Sequence, residues 1–111
     1  MDLNHCTVTG VLARDPITRF IADHGTHVCS FTLRLTEVGP AGQTFKLFVP
    51  CEAYSQAADQ AAELSAGEAV LVDGKLKWVS YTAKAGTKRT SLCVLARLVK
   101  RLATAAVAAA G

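Results

Sequence analysis

Alternation of apolar and polar side chains at every second residue is the feature that most narrows what this chain can fold into. Cys6, Val8, Gly10 and Leu12 interleave with Thr7, Thr9 and Val11, and Cys29, Phe31, Leu33 and Leu35 interleave with Ser30, Thr32 and Arg34. Successive side chains of a strand point to opposite faces, so each run reads as a half-buried β-strand. ARDP at 13–16 breaks the first strand, because Pro16 has no N–H to give a ladder, and residues 17–21 resume it. The turn DHGT at 23–26 leads into the second strand; VGPAGQ at 38–43 leads into a third, TFKLFV, which Pro50 is expected to end. Two long strands, 69–82 and 88–99, follow, joined by the hairpin AKAGTK with Gly86 at its tip.

Only residues 53–65, AYSQAADQAAELS, have helical character. Ala, Gln and Glu dominate there, Tyr54, Ala57, Ala58, Ala61 and Leu64 recur at helix spacing, and Ala66-Gly67 is the stop. The order is therefore three strands, one helix, two strands. SH3-like barrels and small sandwiches share the strand count, but a helix between the third and fourth strands is the plan of an OB-fold, a five-stranded Greek-key barrel. The expected class is all-β, with a long hairpin joining strands 4 and 5. At 111 residues the chain makes one domain with a core that needs no disulfide or metal staple. Residues 1–102 are assigned to the barrel and 103–111, ATAAVAAAG, to an Ala-rich tail.

No apolar run approaches the roughly 20 residues that span a bilayer, and MDLNHCTVTG lacks the basic start and apolar stretch of a signal peptide, so a cytoplasmic protein is expected. Cys6, Cys29, Cys51 and Cys93 are widely spaced, without a CxxC pair; they read as compact core residues in a reducing compartment rather than as zinc ligands.

Charge is distributed unevenly. Residues 1–74 carry four basic side chains against nine carboxylates, a balance of −5, whereas 75–111 carry eight basic side chains and no acid. GKLKWVSYTAKAGTKRTSL at 74–92 concentrates Lys75, Lys77, Lys84, Lys88 and Arg89 around Trp78 and Tyr81. A positive surface interleaved with aromatics is the footprint of a protein that meets a polyanion; a merely solvated basic face is the alternative.

The opening NHCTVTGVLARDPITRF, followed by GTHVCSFTL, resembles the start of the bacterial single-stranded DNA-binding protein family through Asn4, Gly10, Leu12, Asp15, Pro16, Arg19, Phe20, Gly25, Phe31 and Leu33. SAGEAVLVDGKLK resembles a later passage of that family through Gly67, Val70, Val72, Asp73, Gly74, Leu76 and Lys77. The resemblance runs from residue 4 to about 100 and implies sequence-tolerant binding of single-stranded DNA in replication, recombination or repair, with bases stacked on aromatics and phosphates met by Lys and Arg. It puts stacking aromatics at Phe45 and Tyr81. Cys51 stands where the family often has Phe, and the loop 37–42 holds no Trp. Trp78 matches no family stacking position, and both a base platform and a packing or subunit-interface role stay open for it. By parity Phe48, sharing a face with Lys46, is the better core candidate than Phe45. Lys75, Lys77, Lys84, Lys88 and Arg89, with Arg19 and Arg34, complete the expected contact set.

His5, His24 and His27, with Asp23 and the cysteines, include nucleophile and base types, but no GxSxG, HExxH or Walker pattern assembles them, so no enzyme, cofactor or metal is expected. The primosomal replication protein N family is a second resemblance, through the short chain and the Lys-rich hairpin. It implies an adaptor that holds single strands and replication-restart proteins. A protein-interaction OB module is a third reading, favoured by the low aromatic count and opposed by the basic segment. Exposed strand edges predict a dimer or tetramer. The tail lacks the family's acidic recruitment tip, which leaves replication and repair partners unassigned.

Overall fold

The strands form where the alternation places them. In the computed structural model, which describes residues 2–21 and 25–102, β1 runs Cys6–Leu12, β2 Ile17–Ile21, β3 Thr26–Val38, β4 Thr44–Tyr54, β5 Ala69–Thr82 and β6 Lys88–Arg101, with one helix, α1, at Ser55–Ala62. The expected positions of Asp23 and His24, and the tail 103–111, lie outside the described residues. β1 and β2 are the two halves of the strand that ARDP interrupts, so five expected strands appear as six. The sheet order is β1-β5-β6-β4-β3-β2, and β1 also pairs with β3 through Val11↔Arg34 and Leu12↔Leu33, which closes the barrel. The break between β1 and β2 is held by hydrogen bonds: Gly67 N–H donates to the Leu12 carbonyl at 2.8 Å and Ala66 N–H to Asp15 Oδ1 at 2.9 Å.

Inward positions of five strands meet in one core. Leu12, Leu33, Val70, Val72 and Val94 are each no more than 1% exposed, and α1 adds Ala57, Ala58 and Ala61 with Leu64 beyond it. Small side chains let the helix lie close against the barrel. α1 is shorter than the 53–65 expected because Ala53 and Tyr54 continue β4, opposite Cys29 and Val28, before the chain corners at Ser55 with φ 54°. The Val99 N–H donates to Gln60 Oε1 at 3.1 Å, so a helix side chain satisfies a β6 backbone group. β6 runs two residues past the expected end at 99.

Two expectations about β4 are corrected. Pro50 does not end the strand, which continues to Tyr54. Thr32, directly opposite Pro50, turns its carbonyl toward β1, where it accepts the Ala13 N–H at 2.9 Å. The missing proline N–H therefore faces away from β3, toward a side that β6 joins only from Cys51 onward, and no ladder bond is lost. Phe48, expected in the core, is 61% exposed: it lies opposite Arg34 on the outer face of the β3–β4 ribbon. Phe45 has inward parity but sits past the end of the barrel, half exposed beside Gly39.

The β5–β6 pair holds a bulge at Asp73/Gly74, with Arg97 as the extra residue. Gly74 is required there, because a methyl group would collide with the Leu95 carbonyl oxygen. Past the bulge the two strands project as the expected hairpin. Ala83 N–H donates to the Thr87 carbonyl at 2.9 Å, Gly86 N–H donates to the Ala83 carbonyl at 2.9 Å, and Gly86 takes φ 81°. Cys29, Cys51 and Cys93 are buried and Cys6 half-buried, all as free thiols. Burial, with Cys93 and Cys6 nearby, pushes the Cys51 thiol up to about 12, and burial followed by the Glu52 carboxylate pushes Cys93 to about 11. These thiols stay protonated and act as packing. Among the described residues no three His, Cys, Asp or Glu side chains gather where a metal could sit, and no helix is long and apolar enough to cross a membrane.

Candidate nucleic-acid interface

Parity along β5 decides what the hairpin presents. Lys77, Val79 and Tyr81 share one face, and their partners on β6 are Cys93, Ser91 and Arg89. This face looks across a groove of about 280 Å³ toward β3, β4 and the start of β2. The groove is lined by Val79, Tyr81 and Ser91 from the hairpin, Pro50 and Glu52 from β4, and Ile17 from β2. Tyr81 is half exposed, with its ring available at the open side. Apolar surface from Ile17, Pro50 and Val79 is bordered by polar side chains that include Arg14 and Glu52, and most of the cations stand on the projecting arm, an arrangement that admits bases inward and leaves phosphates outside.

The five hairpin cations are not equivalent. Lys75, Lys84, Lys88 and Arg89 are exposed and form no ion pair among the described residues. Lys77 is half-buried. Its Nζ lies 2.9 Å from Glu52 Oε1 and 5.4 Å from the centre of the Tyr54 ring, and the Glu52 contact holds its ammonium above the ordinary lysine value. Asp15, also at the groove, is committed to the Ala66 N–H.

The remaining expected residues scatter. Arg19 is exposed on the face of β2 that carries Ile17 but is not among the residues lining the groove. Arg34 is half-buried on β3 opposite Phe48. Lys75 lines a second depression with Asn4, His5, Tyr54 and Arg97. There Asp73 is bound by Arg97 Nη2 at 2.9 Å and approached by His5 Nε2 at 2.9 Å, and the Arg97 contact above all holds its carboxyl below the usual range. Trp78 is 68% exposed on the reverse face of the hairpin, opposite Leu92, and is turned away from Tyr81. Phe45 lies outside the groove lining, so the structure does not bring the two expected stacking aromatics onto one wall.

Groove residues that sequence reasoning did not single out include Arg14, Ile17, Pro50, Glu52, Val79 and Ser91. Val79 and Ser91 were available from parity with Tyr81. Pro50 and Glu52 were lost once the strand was taken to stop at Pro50, since nothing then placed Glu52 on a face. A further aromatic pair stands outside this groove: Phe20 and His27, opposite each other on β2 and β3, have ring centres 5.1 Å apart.

Comparison with known proteins agrees with this geometry. The model of the "Single-strand binding protein family" matches residues 3–102. A relative named "Single-stranded DNA-binding protein 2" from Clostridium acetobutylicum is 33% identical over 102 residues, covering 90% of this chain and 77% of the relative. "Single-stranded DNA-binding protein 3" from the same organism is 32% identical over 102 residues, covering 90% and 71%. A "Single-stranded DNA-binding protein" from Mycobacterium tuberculosis is 35% identical over 91 residues, 76% of this chain and 55% of the relative, so this chain spans little more than half the mycobacterial protein's length. With nearly the whole barrel matched, the chain belongs to the single-strand binding protein family.

Proposed function

We propose that residues 1–102 bind single-stranded DNA without sequence preference, as a protective or organising factor in replication, recombination or repair. The observation that carries this reading is the groove under Tyr81 and Val79, flanked by a hairpin whose exposed cations Lys84, Lys88 and Arg89 have no carboxylate partner among the described residues. Every base offers a π-face, so stacking on Tyr81 tolerates any sequence, while the cations meet the phosphates. The role is binding without chemistry, in the cytoplasm and on the nucleoid.

A homo-oligomer, dimer or tetramer, fits the same fold. Among the described residues, 6–10 of β1 pair only with β5 and β2 pairs only with β3, so each offers an open edge for a second copy. Anisotropy of labelled oligo-dT and of a matched duplex, titrated at low and moderate salt, tests the binding reading. Preferential, salt-sensitive binding of the single strand is expected. Equal binding of duplex, or none at low salt, would contradict it and favour a protein-interaction module.

A further inference from the structure

Glu52 is the unexpected group in this groove. A site for a polyanion gains nothing from a carboxylate in its wall, yet Glu52 is carried on the groove-facing side of β4 beside Pro50, with its side chain only 15% exposed. Oε1 is fully buried and, among the described residues, makes no well-aligned hydrogen bond and has one close cation, the Lys77 ammonium at 2.9 Å. Lys77 in turn sits two positions from Val79 and four from Tyr81, on the same face of β5, with only Lys75, at the second depression, nearer the barrel.

We propose that Glu52 is an affinity-setting residue: it occupies Lys77 as an internal stand-in for phosphate, so the DNA backbone at the inner end of the groove must compete with a carboxylate of this chain. The inference rests on single-strand binding and deepens it. The physical reason is the asymmetry of buried charge. If Lys77 swings to a phosphate, Glu52 Oε1 is left buried, uncompensated and near a second anion. If Lys77 stays, the phosphate meets a neutral pair. Either way Lys77 contributes less than Lys84, Lys88 or Arg89, which give up only water and counterions. The strand is thereby held at its outer contacts and weakly at the inner one. Tyr54 beside the Lys77 ammonium keeps the side chain in place while the pair is intact.

The test is a double-mutant cycle read by oligo-dT anisotropy across a salt series, on wild type, Glu52→Gln, Lys77→Ala and the double variant, with Lys88→Ala as a reference. Glu52→Gln keeps the shape and removes the charge. It is expected to tighten binding about three- to tenfold at low salt, and to steepen the log–log salt slope by about 0.7, the increment of one phosphate contact on a single strand. Lys77→Ala bares Glu52 and should weaken wild-type binding, but should leave the wild-type salt slope unchanged because no phosphate contact is lost, and should abolish the whole gain in the Glu52→Gln background. An unchanged slope in Glu52→Gln overturns the proposal. So does Lys77→Ala flattening the wild-type salt slope as much as Lys88→Ala, a comparison that does not depend on how the Glu52 variant folds. A wild type that fails to bind oligo-dT at all overturns the underlying reading as well, and is thereby distinct from a failure of the cycle alone.

Discussion

Tyr81 is the residue on which the proposed site turns, because it is the exposed aromatic of the groove lining, where Phe31 is only 5% exposed. Replacing it with Ala removes a base platform and should cost about 1–3 kcal/mol of binding, a loss of roughly five- to 150-fold in oligo-dT affinity by anisotropy, with the salt slope unchanged. Its position was legible: a Tyr on a basic strand, at a place the family uses for an aromatic. Phe45 and Phe48 show where single residues stop being legible. Parity ranked Phe48 as the core residue of the two, but a face of a strand is only as buried as the element above it, and β4 runs beyond the barrel at that end, leaving both rings at the surface. Glu52 was invisible for a different reason. Its meaning depends on Lys77, which lies 25 positions away in sequence and 2.9 Å away in space.

At the scale of elements, the hairpin of β5 and β6 was read nearly residue for residue, because 14-residue alternating strands around a Gly turn leave one sensible register. What alternation could not show is the bulge at Gly74, where the extra Arg97 bends the pair and fixes which side of the arm faces the groove. β4 was cut short for want of its pairing partners: a proline stops a strand flanked on both sides and is harmless where one side is open, and only the topology says which applies. The arm should act electrostatically as a unit. Neutralising Lys84, Lys88 and Arg89 together to Gln is expected to flatten the log–log salt slope for oligo-dT by about 2, at about 0.7 per phosphate, while a thermal melt stays close to wild type because none of the three supports the core. A slope that does not move would take the hairpin out of the interface.

Over the whole molecule, the sequence separates an acidic first two-thirds from a basic last third, and the fold projects Lys75, Lys77, Lys84, Lys88 and Arg89 on the β5–β6 arm while pairing Lys77, Arg97 and Arg101 with Glu52, Asp73 and Glu68 of the acidic part. Strand count, helix position and family were recoverable because each follows from local pattern. The groove was not, since its walls come from β2, β3, β4, β5 and β6, and barrel closure alone brings them together. That closure makes the account testable by position. Amide chemical-shift mapping of the protein with oligo-dT measures it most directly. The account predicts the largest changes at Ile17, Ser30, Glu52, Val79, Tyr81, Arg89 and Ser91, with little movement in the helix at Ser55–Ala62. Changes centred on Trp78 and Leu92 on the reverse face of the hairpin, or on the helix, with the groove silent, would contradict it.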